Sequence, residues 1–189
     1  MSTALLIVDV QLDFCEGGAL GVSGGAGVAA AISRHAAENE YAHVVATRDY
    51  HVDPGDHFSS QPDYVRSWPV HCVAGTAGAA FHPELEVGPV RAVFSKGQYS
   101  AGYSGFEGKD RLGTPLRDWL GERGVDAVDV VGIATDHCVR ATALDAAKAG
   151  LTTTVLLSLT AGVAPATVDT AVRDLRVAGV ALTGTPVVA

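Results

Sequence analysis

Short apolar segments rich in β-branched residues recur along the chain and predict strands. Several are continuously apolar rather than alternating, which is typical of parallel strands that are covered on both faces. Between them lie stretches with helical periodicity, and two of these are followed by glycines suited to a helix end, Gly150 and Gly179. The predicted strands are 4–10, 43–47, 91–95, 125–133, 152–157 and 180–183, and the predicted helices are 28–38, 115–123, 138–149 and 165–177.

This alternation of strands and helices predicts one domain over residues 1–189, a three-layer α/β/α fold with a central, mostly parallel sheet of about six strands. One segment fits neither period: residues 50–89 hold five of the eight prolines. A loop of this length inside a compact domain usually carries function. We therefore expect the region 49–89 to contribute to a site.

The amino-acid composition limits which classes of binding partner the protein can have. The chain has 189 residues, 48% of them apolar, and a formal net charge of −8, with its basic residues scattered along the sequence. This balance argues against nucleic acid and against anionic membranes as partners. The first residues lack the pattern of a charged segment followed by an apolar run, so we do not expect a signal peptide, and no apolar run approaches the ~20 residues that cross a bilayer. We expect a cytoplasmic protein, a monomer or small homo-oligomer, that acts on a small molecule.

Three reactive side chains follow three of the predicted strands. Asp9 ends the first strand, Lys96 ends the third, and Cys138 opens the helix after the fourth. Ligands of doubly wound sheets bind outside the carboxyl ends of the strands, so we expect these side chains to meet there. The helix start and Lys96 would lower the pKa of the Cys138 thiol, and Asp9 would accept its proton. Backbone N–H groups around Ala134 and Cys138 would face an oxyanion.

Each residue of this trio also has an ordinary structural interpretation. A single cysteine after a strand is more often a small buried hydrophobe, an aspartate there is commonly a turn former, and a lone lysine is commonly solvated. The joint placement on three strand ends favours a site. The three cysteines are an odd, sparse set, which does not indicate a disulfide framework, and Cys15 beside Phe14 is interpreted as a packed thiol.

A cluster of possible metal ligands begins just after the second strand. Asp49, His51 and His57 lie within nine residues, and His71 follows in the same loop. Asp49 and His51 are two residues apart, so in an extended chain they face the same way. A mixed carboxylate and histidine set suits Zn²⁺, Fe²⁺ or Mn²⁺. From spacing alone, a histidine-rich surface loop without an ion is an equal alternative. Cys72 is left out of the ligand set because a direct neighbour of His71 should point the opposite way.

A second motif is set aside. Residues 25–30 match the dinucleotide pattern G-x-G-x-x-A, but they come about fifteen residues after the first strand rather than at its tip. The acidic residue that should end the second strand in that arrangement is also missing. We therefore do not expect a nucleotide cofactor there.

Taken together, these residues resemble the isochorismatase-type cysteine hydrolases, and within them the bacterial nicotinamidases (pyrazinamidases). The resemblance covers essentially the whole chain and departs at no catalytic or metal position. It is carried by five ordered motifs: residues 8–14 (VDVQLDF), 47–51 (TRDYH) with His57, 68–72 (WPVHC), 96–97 (KG) and 132–139 (GIATDHCV).

The resemblance implies a role for each matching position. Cys138 would be the nucleophile, Asp9 the general base and acid, and Lys96 the cation that holds both. The Ile133–Ala134 peptide would be cis, with the Ala134 and Cys138 N–H groups as the oxyanion hole. The metal ligands would be Asp49, His51, His57 and His71, with one divalent ion, Zn²⁺ or Fe²⁺ ahead of Mn²⁺. The substrate-binding residues would be Phe14, Trp68, Tyr103, Ile133, Ala134 and His137.

The resemblance also implies a reaction: nicotinamide would be hydrolysed to nicotinate and ammonia through a Cys138 thioester, and pyrazinamide would be hydrolysed likewise. Relatives that act on isochorismate or carbamoyl compounds generally lack the metal ligands, so the cluster points to the substrate. One alternative is a related amidohydrolase for another small amide or lactam. The other is a binding module without activity, against which the intact trio argues.

Overall fold

In the computed structural model, residues 2–189 are described, and they form six strands and four α-helices. Met1, the first residue of the predicted domain, lies outside the described residues. The strands are β1 (Thr3–Val8), β2 (His43–Asp49), β3 (Val90–Lys96), β4 (Ala127–Ile133), β5 (Thr152–Ala161) and β6 (Ala181–Thr183). The helices are α1 (Gly25–Glu38), α2 (Leu116–Glu122), α3 (Arg140–Lys148) and α4 (Pro165–Val177).

The strands form one fully parallel sheet in the order β3-β2-β1-β4-β5-β6, which confirms the predicted fold class. The chain runs from β1 outward to β2 and β3, then returns to place β4 on the other side of β1. The connection after β1 and the connection after β4 therefore run toward opposite edges of the sheet. A crevice opens between the carboxyl ends of these two strands. This crevice is where Asp9 and the segment after β4 meet.

Alternation along β1 explains why its sequence is apolar throughout. Leu5 and Ile7 belong to a core cluster with Val28 and Ile32 of α1, whereas Leu6 belongs to the core on the opposite face. That second core includes side chains of α2, α3 and α4. The division follows from right-handed crossovers, because the step from β1 to β2 runs opposite to the steps that carry α2, α3 and α4 and so places α1 on the other face.

Most element boundaries differ from the sequence prediction by one to four residues, and two of these differences lie at the site. β1 ends at Val8, because Asp9 adopts a left-handed backbone (φ 50°) that leaves the extended ladder. Cys138 does not open α3: it lies in a π-helical turn, Thr135–Val139, that leads into the helix at Arg140. β5 runs four residues further than expected and shifts its register against β4.

The connection from β2 to β3 contains no strand or α-helix between residues 50 and 89, as its composition indicated. It is nevertheless tied to the body of the protein. The Val52 N–H donates to the Gln98 carbonyl at 2.9 Å, and the His82 N–H donates to the Val10 carbonyl at 2.9 Å.

None of the helices within residues 2–189 combines the length and apolarity needed to traverse a bilayer.

Candidate active site and metal centre

Lys96 lies at the centre of the site. Its side chain is fully buried, so its interpretation as a solvated surface lysine is wrong. The ammonium lies 2.7 Å from Asp9 Oδ2 and 3.7 Å from Cys138 Sγ, and it donates to the Gly102 carbonyl at 2.6 Å. It also donates to Asp49 Oδ1. β3 is an edge strand, and its end is level with the end of β2 because Asp49 and Lys96 are register partners. From this position the Lys96 side chain extends past the end of β2 and contacts Asp9 after β1.

Asp9 presents one carboxylate oxygen to the reactive groups. Thr47 Oγ1 donates to Asp9 Oδ1 at 2.7 Å and fixes the side chain. Oδ2 accepts no aligned hydrogen bond within residues 2–189, although it faces the Lys96 ammonium. Carboxylate oxygens of Asp9 and Asp49 and the sulfur of Cys138 all lie within 4.8 Å of one another. Asp9 is therefore placed to exchange a proton with the thiol.

Burial is the largest single influence on the pKa of each of the three side chains, Asp9, Lys96 and Cys138. It raises the pKa of the Cys138 thiol well above its ordinary value, although Lys96 acts in the opposite direction. Burial likewise raises the pKa of Asp9 against the effect of Lys96. Burial disfavours the Lys96 ammonium, but Asp49 and Asp9 outweigh it and raise the pKa of that group. The sequence expectation of a net lowered thiol pKa is thus not met, and the thiol stays protonated until a base takes its proton.

Three histidines of the β2–β3 loop converge on one point. Ring nitrogens of His51, His57 and His71 lie within 4.8 Å of one another, and all three residues are buried. Within the described part of the chain, His51 Nε2 and His57 Nδ1 are buried without any hydrogen-bond partner. Buried polar atoms without partners are costly, and a bound cation would satisfy them.

The protonation of these rings follows from their other contacts. His51 Nδ1 faces the Gly97 carbonyl, and His71 Nδ1 lies 2.8 Å from the Pro69 carbonyl. A carbonyl can only accept, so these nitrogens carry protons, and each Nε2 faces the centre, where it would present a lone pair to a bound ion. Burial, followed by His71 and His51, lowers the pKa of His57 to about 4, which favours the neutral form of that ring.

Asp49 links the histidine cluster to the catalytic trio. Its Oδ2 lies 3.5 Å from His51 Nε2 and 3.8 Å from His71 Nε2, while Oδ1 accepts from Lys96. Burial opposes its charge, but Lys96 and the two histidines hold the pKa of this carboxyl well below its usual range. Three neutral imidazoles and one carboxylate fit a Zn²⁺, Fe²⁺ or Mn²⁺ ion.

A cavity of about 330 Å³ opens between the thiol and the histidines. The Trp68 indole donates to the Tyr103 hydroxyl at 2.9 Å, and its ring meets His137 edge-on at 5.2 Å. The Ile133–Ala134 peptide beside it is cis, as the resemblance implies. The cavity walls include all six residues expected to contact substrate, together with Cys138 and three expected metal ligands: Phe14, Trp68, Tyr103, Ile133, Ala134, His137, Asp49, His57 and His71.

Sequence reasoning missed several residues that shape the site. Gln11 is fully buried, and its side chain hydrogen-bonds to both the N–H and the carbonyl of Asp49. Asp13 Oδ2 accepts from the N–H of Cys72, the residue after His71, at 2.7 Å. The position of Gln11, a polar residue directly after a predicted buried strand, could have indicated this role from the sequence. The loop 19–23 and Tyr64, which line the cavity mouth, carried no such signal because their side chains are ordinary loop residues.

Comparison with known proteins agrees with this geometry. The model of the isochorismatase domain matches residues 3–186. The chain belongs to the isochorismatase family. Among proteins of this family it is 62% identical, over 95% of its length and 97% of the relative's, to the nicotinamidase/pyrazinamidase of Mycobacterium tuberculosis.

Two solved structures are similar to this isochorismatase-family chain over nearly its whole length. One is PnC1 from L. infantum in complex with nicotinate, with a TM-score of 0.86 and 35% identity, covering 96% of this chain and 92% of that one. The other is the pyrazinamidase of Pyrococcus horikoshii in complex with zinc, with a TM-score of 0.80 and 36% identity, covering 97% and 99%.

Proposed function

We propose that the protein is an amidohydrolase that converts nicotinamide to nicotinate and ammonia, and pyrazinamide to pyrazinoate. One observation carries the proposal: Cys138, which contacts Lys96 beside Asp9, lines the same cavity as three members of the histidine and carboxylate cluster, Asp49, His57 and His71. The thiol group supplies a nucleophile for an amide, and the cluster supplies a means of recognising a heterocycle. The 62% identical relative is a nicotinamidase/pyrazinamidase, which supports the same assignment here.

The aromatic walls would hold the substrate ring. Trp68 and Phe14 offer flat apolar surfaces, and the hydrogen bond between Trp68 and Tyr103 fixes two of these rings relative to each other. Asp49, His51, His57 and His71 would hold a divalent ion. When bound, that ion would act as a Lewis acid toward the ring nitrogen and so orient the ring. The amide carbon would then lie beside Cys138.

The first half of the reaction would form a thioester. Asp9 accepts the Cys138 proton as the sulfur attacks the amide carbonyl, which avoids a free thiolate in a site where burial raises the thiol pKa. Lys96, bonded to both partners, compensates the charge as it moves from Asp9 to sulfur. The Ala134 and Cys138 N–H groups would stabilise the oxyanion. Asp9 then returns the proton to the nitrogen, and ammonia leaves.

The second half would release the acid. Asp9, again ionised, takes a proton from a water molecule, and the resulting hydroxide attacks the thioester carbon. The carbon–sulfur bond breaks, the sulfur recovers the proton from Asp9, and nicotinate is set free. One carboxylate thus serves as base and acid in both halves, which fits Oδ2, the oxygen that lies beside the Lys96 ammonium and accepts no aligned hydrogen bond within residues 2–189.

We further propose that the enzyme works in the cytoplasm and returns nicotinate to pyridine nucleotide salvage. Its three cysteines are all free and buried, which suits a reducing compartment. The substrate is a small molecule, in keeping with the size of the cavity. We retain the expectation of a monomer or small homo-oligomer.

Cysteine variants test the nucleophile. Cys138→Ala is expected to lower ammonia release from nicotinamide by at least about a thousandfold, because no other group replaces the covalent step. Cys15→Ala, which removes another buried thiol, is the matched control and should keep most activity. Circular dichroism and thermal unfolding establish that both variants fold. Appreciable turnover by Cys138→Ala would show that the thioester route is wrong.

A further inference from the structure

A second groove of about 730 Å³ lies at the β3 edge of the sheet and is lined by residues distinct from those of the catalytic cavity. We call it the β3-edge groove. Its walls are the outer side of β3, the segment 109–114, the end of α2, and side chains that project from β2 and the loop after β3. Five cationic residues line it: Arg48, Arg91, Lys109, Arg111 and Arg123.

The cationic residues are concentrated in this groove although the chain as a whole is acidic. The chain has 13 lysines and arginines against 21 aspartates and glutamates, and five of the 13 line this one groove. Two acidic residues lie in its walls, Asp110 and Glu122. Asp110 Oδ1 is already occupied, since it accepts from the Leu112 and Thr114 N–H groups at 2.9 Å each. The lining of the groove therefore carries three more positive than negative charges, in a chain whose formal net charge is −8.

Most of these cations have no internal counterion. Within residues 2–189, no carboxylate approaches the side chains of Arg48, Arg91, Lys109 or Arg111 within 4.0 Å. Arg123 meets Glu122 at 3.4 Å, and both side chains are exposed at the surface. Guanidinium and ammonium groups left unpaired around a concavity offer charge-assisted hydrogen bonds to an incoming anion.

Two of the guanidinium groups are already held in place. Arg48 lies over the Tyr50 ring at 4.2 Å, and its Nε donates to Ser95 Oγ at 2.9 Å. Arg123 lies over the Trp119 ring at 3.8 Å, and its Nη1 donates to the Trp119 carbonyl at 3.0 Å. These contacts fix each planar group while leaving further N–H donors free, so an anion would not bear the full cost of ordering them.

An alternative explanation is protection of an exposed edge strand. Charged side chains at a sheet edge prevent pairing with other chains, and β3 is paired on its outer side at Ser95, by Lys109. This accounts for Arg91 on β3 itself. It does not account for Arg48, which comes from the inner neighbour β2, or for Arg123 at the end of α2. The convergence of cations from separate elements indicates a binding function.

We propose that the β3-edge groove binds a small, multiply charged phosphate compound, with the arginines and Lys109 contacting its phosphate oxygens. Planar guanidinium groups match the oxygen spacing of phosphate, and several of them favour more than one phosphate group. The groove is open to solvent, so binding should weaken as the salt concentration rises. This proposal stands independently of the amidase reaction.

Calorimetric titration of the metal-loaded protein with inorganic triphosphate, ATP and adenosine tests the proposal. Phosphates can also coordinate the ion of the catalytic cavity, so the comparison is between variants. Arg91→Ala/Arg111→Ala removes two exposed groove cations. Arg173→Ala/Arg176→Ala removes the same charge from α4, which packs near the opposite sheet edge, and is the matched control.

We expect triphosphate and ATP to bind wild type and the α4 control equally, and the groove variant to lose at least about tenfold in affinity for both, because each lost arginine removes charge-assisted bonds. Tighter binding of ATP than of triphosphate would identify a nucleotide, and equal binding would identify the phosphate chain. Equal affinities in all three proteins, no binding by wild type, or adenosine binding as tightly as ATP would each overturn the proposal. So would self-association of the groove variant with undiminished anion binding, which would establish edge protection instead.

Discussion

At the scale of single residues, Lys96 connects the two halves of the site. Its ammonium contacts Asp9 and Cys138 on one side and Asp49 on the other, and it is fully buried. A buried charge of this kind is retained only with such partners, and removing it leaves the two carboxylates uncompensated, at a cost of roughly 3–5 kcal/mol. The catalytic trio and the metal ligands are therefore one electrostatic unit.

Lys96→Ala should slow the alkylation of Cys138 by iodoacetamide near neutral pH. Lys96 lowers the pKa of that thiol against the effect of burial, so its removal raises the pKa further and reduces the thiolate fraction. Mass spectrometry of the Cys138 peptide across a pH series measures the rate, and Lys148→Ala at the end of α3 is the control. Identical pH profiles for wild type and a folded Lys96→Ala protein would exclude this role.

Gln11 is a positioning residue for Asp49. Its side-chain oxygen accepts from the Asp49 N–H at 2.8 Å, and its amide nitrogen donates to the Asp49 carbonyl at 2.8 Å and to the Ala79 carbonyl at 2.9 Å. Gln11→Ala would leave these buried groups unpaired and let the ligand shift. Groups that orient metal ligands typically change affinity by about 10–100-fold when lost, and we expect a loss in that range.

Competition with a chelator of known affinity measures this loss for divalent zinc. Gln61→Ala, which changes an exposed glutamine in the β2–β3 loop that carries the histidine cluster, is the control and should bind zinc as wild type does. Unchanged zinc affinity in Gln11→Ala would contradict the positioning role. A fall in zinc affinity with the control unaffected would support it, and a purely structural defect would instead lower thermal stability without changing the affinity of the folded fraction.

At the scale of elements, the turn at residues 63–67 holds one side of the cavity mouth. Asp63 Oδ1 accepts from the N–H groups of residues 65–67 at 2.8 to 2.9 Å. Tyr64, with a left-handed φ of 57°, lines the cavity and meets Trp68 edge-on at 6.0 Å. The aromatic wall therefore depends on a polar turn rather than on apolar packing alone.

Asp63→Ala should raise KM for nicotinamide severalfold and change kcat less, because it loosens the ring wall and leaves the trio untouched. Asp63→Asn keeps the accepting oxygen and should restore KM, and Asp118→Ala on α2 is a control for loss of surface charge. Steady-state kinetics on the three variants checks this. A fall in kcat at unchanged KM would mean that the turn acts on the chemistry instead.

The same turn should be insensitive to mild acid. The backbone N–H groups of Ser67, Arg66 and Val65 hold the pKa of Asp63 well below its usual range. A carboxyl with a depressed folded pKa stabilises the structure above its unfolded pKa, and this contribution is lost only as the pH falls through the lower folded value. The difference in KM between wild type and Asp63→Ala should thus persist as the pH falls through the ordinary range of an aspartate, which steady-state kinetics on both proteins across a pH series would measure.

Element boundaries were predictable where one periodicity dominates. The six strands were found within a few residues because each is an apolar segment of strand length, and β1, which is buried on both faces, is the clearest case. The π-helical turn that carries Cys138 was not predictable, since its residues also fit an α-helix and tertiary contacts decide the difference. The path of residues 50–89 was hidden as well, because scattered backbone hydrogen bonds fix it rather than a repeating pattern.

At the scale of the whole molecule, the site forms where the topology reverses. Strand order places the ends of β1 and β4 side by side, and the end of β3 is level with that of β2. Asp9, Cys138 and Lys96 were predictable as a group because parallel strands share one carboxyl edge. Their ionisation was not, because burial of the assembled site raises the thiol pKa, and a sequence does not report the depth of a cavity.

The central claim is that the cysteine trio breaks the amide while the metal cluster selects the ring, and substrate comparison tests it most directly. Ammonia release from nicotinamide and from benzamide, which lacks the ring nitrogen, is measured with protein of known metal content before and after chelation. The account predicts rapid, metal-dependent hydrolysis of nicotinamide, and slow hydrolysis of benzamide that added metal does not improve. Full activity of metal-free protein on nicotinamide, or benzamide hydrolysed as fast as nicotinamide, would contradict it.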